Sequence, residues 1–98
     1  MQTLFKKTLG NTTQLRVLEF LIEGRELDYS ITDIAEGAEI SRTTLLRIWE
    51  DLERSNIIKP TRVIGNAKLF QLNSQNPLVK KMIELFDEII MPKRQLSH

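Results

Sequence analysis

The sequence predicts a mainly α-helical domain with a small β-hairpin, an α+β architecture. Apolar residues recur at helical spacing in three segments, Leu15 to Ile22, 41–55 and 77–91. Between the last two segments, the pair Gly65-Asn66 separates two runs rich in β-forming residues. With 98 residues we expect a single domain over 1–98, with a core at about 11–73 and terminal helices at about 2–9 and 77–91.

The first long helix has recognisable boundaries. Asn11, Thr12 and Thr13 offer side-chain oxygens that can cap its N-terminus, and Gly24 predicts its end. The residues that follow indicate a loop, with a short strand at 27–30.

The next helix carries a capping signal. Ser30 lies three residues before Asp33, which resembles a capping box with Asp in place of the usual Glu. The helix should run through Ala38 and is too short to be stable alone. It therefore has to pack on its neighbours through its apolar residues, Ile31, Ile34 and Ala35.

The third helix, expected at 41–55 with Ser41 as its cap, has two faces. One face is apolar and predicts a core contact through Leu45, Ile48, Trp49 and Leu52. The opposite face is polar and contains Thr43, Arg47, Glu50 and Arg54. The most cationic and polar residues lie in its first turns, whereas the tryptophan lies on the core side.

The segment 57–72 predicts a hairpin, because Gly65 and Asn66 both tolerate positive φ at a tight turn. Pro60 cannot donate a hydrogen bond to a neighbouring strand, so its strand should lie at a sheet edge. A two-stranded ribbon is stable only when it packs against helices.

Asn76 and Pro77 predict the start of the last helix, which should end at about Met91. Its apolar residues cover an arc of about 160°, against the ~100° that packing on one body requires. They are Leu78, Val79, Met82, Ile83, Leu85, Phe86, Ile89 and Ile90. Part of this arc therefore needs a further partner.

Composition excludes several classes of function. The chain has no cysteine and its one histidine is the last residue, His98, so we expect no metal site, no cofactor and no catalytic residues. No apolar run approaches the roughly 20 residues of a membrane span, so no membrane partner is expected. The N-terminal sequence lacks a secretory pattern, which favours a cytoplasmic location.

Charge is distributed unevenly, although the net charge is only +1. Between residues 19 and 39, seven acidic residues face the single base Arg25. Between residues 41 and 70, six bases face three acids. Such a dipole can orient a small domain on a polyanion, although an ordinary solvated surface would carry similar charges.

Helix, tight turn, helix and hairpin is the order of a helix-turn-helix with a wing. The sequence resembles the winged helix-turn-helix transcriptional regulators, especially small archaeal ones with an ArsR-like or MarR-like core. The resemblance covers roughly 11–90 and is most specific in ITDIAEGAEISRTTLLRIWEDLERSNII and the wing RVIGNAKLF. Glu39 departs from the glycine usual at the turn. A left-handed conformation would cost ~1 kcal/mol there, so we expect a slightly different turn.

A helix in the major groove presents its N-terminal residues to bases and phosphates. Arg42, Thr43 and, less strongly, Thr44 are therefore candidate DNA contacts, and Arg47 could bind a guanine bidentately. Some residues of this segment have alternative roles. Ser41 and Thr44 can serve the cap, and Arg47 can pair with Asp51. Leu46 lies between the two faces; we expect it to serve packing, with contact to a thymine methyl group as the alternative.

The wing at 57–72 carries cations on both sides of its turn. The resemblance implies that its tip meets the adjacent minor groove or phosphates, with Lys68, Asn66 and Arg62 as candidate contacts. The alternative is that these cations protect an edge strand against aggregation.

Homologues of this kind are commonly dimers, and the wide apolar arc of the last helix agrees with a C-terminal dimerisation helix. The candidate interface combines both terminal helices and consists of Leu4, Phe5, Leu78, Met82, Leu85, Phe86, Ile89 and Ile90.

The first hypothesis is thus a homodimeric regulator that binds double-stranded DNA sequence-specifically. The second is a winged-helix protein-interaction module without DNA binding, which the acids Glu50, Asp51 and Glu53 favour. An enzyme is a distant third. Whether a small-molecule effector exists is open.

Overall fold

The computed structural model describes residues 12–90, which form four helices and one antiparallel hairpin. The elements are α1 (Thr13–Glu23), α2 (Ile31–Ala38), α3 (Arg42–Arg54), β1 (Ile58–Ile64), β2 (Ala67–Leu72) and α4 (Pro77–Ile90). The helix expected at 2–9 lies outside the described residues.

The predicted caps begin the first two helices. The Thr12 hydroxyl accepts a hydrogen bond from the backbone N–H of Leu15 at 3.2 Å, and Gly24 ends α1. At α2 the capping box is complete. The Ser30 hydroxyl accepts from the Asp33 N–H at 3.1 Å, and the Asp33 carboxylate accepts from the Ser30 N–H at 3.3 Å. Asp therefore replaces Glu in this motif without loss of either bond.

The turn between α2 and α3 is left-handed at Glu39, with φ 60° and ψ 45°. The expectation of a different turn was wrong. Backbone bonds from Glu39 to Glu36 (3.1 Å) and from Ile40 to Ala35 (3.0 Å) close the end of α2. The guanidinium of Arg16 on α1 also donates to the Glu39 carbonyl at 2.8 Å. These bonds hold a glutamate where glycine would be free of strain.

The close approach of α1 and α2 depends on Gly37. A Cβ atom at this position would overlap the ring of Phe20 on α1. The Phe20 ring in turn packs on Tyr29, with ring centroids 4.8 Å apart. The sequence analysis did not single out Gly37.

In the hairpin, Gly65 has a φ of 61° at the predicted turn. The strands pair antiparallel, with Ile58 opposite Leu72 and an irregularity between Pro60 and Arg62. Pro60 lies opposite Phe70, whose N–H and C=O instead bond Tyr29 at 2.8 Å each. The N–H that proline lacks would thus point away from β2, so the ladder loses no bond.

The strand expected at 27–30 is reduced to a single bridging residue, Tyr29, which pairs with Phe70. This contact extends the wing by one residue towards the helices and places β2 between β1 and the start of α2. The wing is thereby joined to the helical body through its backbone.

The core lies between the helices and the end of the wing farthest from its turn, which contributes Ile58, Phe70 and Leu72. Trp49 is buried and meets Phe70 edge-to-face, with ring centroids 4.9 Å apart. Full burial of a phenylalanine or leucine side chain stabilises a fold by roughly 1.5–3 kcal/mol. The core of residues 12–90 consists of Val17, Leu21, Ile22, Ile34, Ala35, Ala38, Leu45, Trp49, Leu52, Ile58, Phe70, Leu72, Val79 and Phe86.

The start of α4 is tied to the end of α3. The Asn76 side chain accepts from the Leu78 N–H at 2.9 Å, as the predicted cap requires. Its amide group donates to the carbonyls of Ser55 (3.0 Å) and Asn56 (2.9 Å). α4 packs against α1 and keeps one side exposed.

Candidate nucleic-acid interface

The first two turns of α3 lie on the surface. Arg42, Thr43, Leu46 and Arg47 are all exposed, so no element within residues 12–90 covers this end of the helix. The core face of α3 points inward through Leu45, Trp49 and Leu52, as predicted. The polar face of the helix is therefore accessible, with its N-terminus leading.

The cap of α3 uses two hydroxyl groups. The Ser41 hydroxyl accepts from the Thr44 N–H at 3.0 Å and lies 2.8 Å from the Thr44 hydroxyl. Thr44 is half-buried and supports the cap, which is the alternative role considered for it. Of the candidate contacts on α3, Thr44 is thus the least available.

Arg42 and Arg47 are held differently. The Arg42 guanidinium donates to the Thr32 hydroxyl on α2 at 2.8 Å, which ties the first turn of α3 to the first turn of α2. Arg47 makes no hydrogen bond or ion pair with any residue between 12 and 90, so the alternative pairing with Asp51 is not formed. Its charge is uncompensated by a direct partner there.

The acids of α3 are mostly occupied. Arg54 reaches the Asp51 carboxylate at 3.1 Å and the Glu50 carboxylate at 3.3 Å. These pairs lie near the C-terminal end of the helix, away from Arg42. The negative charges of Glu50 and Asp51 are thus partly neutralised and lie away from the N-terminal end of α3.

A groove with a volume of about 580 Å³ separates the wing from the starts of α2 and α3. It brings together three of the predicted contacts, Arg42, Asn66 and Lys68. The Lys68 ammonium also lies 5.6 Å from the centre of the Phe70 ring. The full lining is Ser30, Ile31, Thr32, Arg42, Ile64, Asn66, Ala67, Lys68 and Phe70.

Arg62 does not join this group, because Asp28 holds it. Its Nε and Nη2 atoms donate to the two Asp28 carboxylate oxygens at 2.9 and 3.1 Å, and the Thr61 hydroxyl donates to the same carboxylate at 2.6 Å. The Arg62 bonds, followed by that of Thr61, lower the pKa of Asp28, and Asp28 raises the pKa of Arg62. We call this group the Asp28 clamp.

The Asp28 clamp connects the loop before α2 to β1 at its irregular position. In the sequence, Asp28 is one of seven acidic residues between residues 19 and 39. Nothing in its local spacing predicts Arg62 as its partner. The Asp28 side chain is 17% exposed and the Arg62 side chain 61%.

The tip of the wing is more apolar than predicted. Val63 and Ile64 are 63% and 55% exposed, beside Gly65. Lys68 on β2 is the cation that remains nearest to the tip, since Arg62 is engaged lower down.

The predicted dimer residues differ in their exposure. Leu78 and Leu85 are 55% and 42% exposed, and Met82 and Ile89 are half-buried. Phe86 is buried in the chain's own core. The expectation that it lies in the dimer interface was therefore wrong. Leu4 and Phe5 lie outside the described residues.

Within residues 12–90, no three acidic or histidine side chains are grouped so that they could hold a metal ion. None of the helices in that range is long and apolar enough to cross a membrane.

The sequence matches no family model, and no curated protein is significantly similar to it. Solved structures do match. MepR, a transcription regulator of the Staphylococcus aureus multidrug efflux pump MepA, superposes with a TM-score of 0.63 and 23% identity over 88% of this chain. The chain spans 63% of the length of MepR.

Reduced HlyU from Vibrio cholerae gives a TM-score of 0.63 and 22% identity, covering 90% of this chain and 86% of HlyU. The antimony-specific transcriptional repressor AntR gives 0.63 and 25% identity, covering 93% of this chain and 78% of AntR. The fold is therefore the winged helix-turn-helix of these regulators, as the sequence predicted.

Proposed function

We propose that this chain is a homodimeric transcriptional regulator that binds double-stranded DNA sequence-specifically and catalyses no reaction. The observation that carries the proposal is the exposed N-terminal end of α3, where Arg47 has no partner within residues 12–90. The similar solved structures support it, since MepR and AntR are transcriptional regulators. A cytoplasmic location agrees with this role.

In this proposal, the recognition helix enters the major groove by its first two turns. Backbone N–H groups and the helix dipole favour phosphate at the N-terminus of α3, and Arg42 and Thr43 add side-chain donors. Arg47 lies one turn further on and binds guanine through its two parallel donors. Glu50 and Asp51 remain outside the groove with Arg54.

The wing contacts the adjacent backbone or minor groove through Lys68 and Asn66. Arg42 lies on the opposite side of the protein groove between the wing and α3. The sugar-phosphate backbone of a DNA strand in this groove would therefore meet cations on both sides. Arg62 contributes indirectly, by fixing the wing through the Asp28 clamp.

Two copies pair through the exposed side of α4. Leu78 and Leu85 lie about two turns apart, with Met82 between them, and together form an apolar stripe along that side. Leu4 and Phe5 extend the proposed interface, whereas Phe86 stays in the core. A two-fold axis would place the recognition helices on half-sites about one DNA turn apart.

Titration with mixed-sequence duplex DNA at about 50 and 200 mM salt tests DNA binding. If each protomer of a dimer neutralises about three phosphates, the affinity should fall roughly 10³-fold between the two conditions. No binding even at low salt would contradict the proposal and favour a protein-interaction module. Glu53, which is exposed, would then be a residue to test for partner docking.

A further inference from the structure

We infer that Leu46 determines specificity by contacting the C5-methyl group of thymine in the major groove. This inference rests on the proposed function and names one feature of its target. Leu46 is 47% exposed and does not belong to the residues that pack on the core. The expectation that Leu46 serves packing was therefore wrong.

The position of Leu46 on α3 places it among the proposed DNA contacts. It follows Arg42 by one turn, about 6 Å along the axis, and precedes Arg47 by one residue. In projection, Leu46 lies between Arg42 and Thr43 on the exposed arc. A helix that enters the groove by its first two turns therefore carries Leu46 to the base edges.

An isolated apolar side chain on this surface points to an apolar target of similar size. Its neighbours on α3, Arg42, Thr43 and Arg47, are polar, so within this helix Leu46 is not part of an apolar patch of the kind that docks a protein surface. On the major-groove edges, thymine alone presents a methyl group, whereas the other bases present donors and acceptors. A leucine side chain placed over those donors and acceptors would displace their bound water without replacing its hydrogen bonds.

The test uses the half-site obtained by selection of bound sequences from random duplexes. Each thymine is replaced in turn by uracil, which removes only the methyl group, and binding is measured for the wild type and for Leu46→Ala. Loss of one methyl contact should weaken wild-type binding about fourfold at one position per half-site. Leu46→Ala should bind the thymine and uracil duplexes equally at that position.

A matched control is Leu27→Ala, which truncates another exposed leucine away from α3. This variant should keep the fourfold preference for thymine, and thermal unfolding should show that all variants fold. A half-site without thymine, equal wild-type binding to thymine and uracil at every position, or an unchanged preference in Leu46→Ala overturns the inference alone. Failure to bind any duplex overturns both the inference and the proposed function.

Discussion

The candidate DNA contacts on α3 and the wing differ in whether their polar groups already form bonds within the chain. Thr44 is bonded in the helix cap, and Arg62 is bonded to Asp28. Arg47 and Lys68 form no hydrogen bond or ion pair with the rest of the described chain. This difference assigns separate roles to residues that look equivalent in the sequence.

Arg47→Ala should relax base preference, because it removes a bidentate base contact that discriminates by about 1–3 kcal/mol. Lys68→Ala should weaken binding to all sequences alike and shallow the salt dependence by about one unit. Competition binding with selected and mixed duplexes at several salt concentrations measures both effects. Equal loss from both variants on all sequences would contradict this division of roles.

Glu39→Gly should raise the free energy of unfolding by about 0.5–1 kcal/mol, because glycine adopts the left-handed conformation without strain. The backbone carbonyl that accepts from Arg16 is retained in this variant. Glu39→Ala is the control: it keeps a Cβ atom and should give no such gain. Urea unfolding of the three proteins measures the difference, and a gain in both variants would argue against backbone strain as its source.

At the residue scale, the sequence predicts caps well because they depend on neighbours two or three residues away. Ser30, Ser41 and Asn76 all cap the helices they were expected to cap. The conformation of Glu39 was missed because Arg16, far away in the sequence, helps to hold it. The exposure of Leu46 was missed because periodicity alone does not settle the exposure of a residue between two faces.

At the scale of elements, the wing is the part whose position depends most on contacts distant in sequence. Its turn and its edge strand were predicted, since both depend on local residues such as Gly65 and Pro60. Its attachment to the helical body was not predicted, because Tyr29 and Asp28 lie far in the sequence from their partners in the hairpin. A wing fixed at its base can present Lys68 at a defined distance from α3.

The Asp28 clamp gives a prediction that depends on pH. The folded chain holds the pKa of Asp28 below its ordinary value of 3.8, so the ionised clamp stabilises the fold at neutral pH. That contribution should fall as the pH decreases below about 4 and through the folded pKa. Arg62→Met should return the pKa of Asp28 towards its ordinary value, which NMR titration of the carboxyl carbon measures.

The same variant separates positioning from direct contact. If Arg62 acts only through Asp28, Arg62→Met should weaken DNA binding but leave its salt dependence unchanged. Lys68→Met is the matched control and should shallow the salt dependence by about one unit. A similar change from both variants would mean that Arg62 contacts phosphate directly.

For the whole molecule, the helix order and the hairpin follow from local patterns, and the resulting fold is the one predicted. The oligomeric state does not follow in the same way. Part of the wide apolar arc of α4 is covered within the chain, since Val79 and Phe86 lie in its own core. Sequence periodicity does not distinguish these residues from Leu78 and Leu85, which stay exposed.

Charged residues on the exposed side of α4 should break the proposed dimer. Leu78→Lys combined with Leu85→Lys places two cations where the two-fold partner would approach, at an uncompensated desolvation cost. Sedimentation equilibrium should show a wild-type dimer and a variant monomer that retains its helix content. Leu27→Lys is the control and should remain a dimer. A wild type that is monomeric at all concentrations would exclude this interface.

The proposed function depends above all on sequence-specific recognition of duplex DNA by the exposed N-terminal end of α3. Selection of bound sequences from a pool of random duplexes tests it most directly. A dimer that reads DNA in this way should enrich an inverted repeat whose half-sites lie about one helical turn apart. A bound pool with the same composition and sequence frequencies as the input would contradict it.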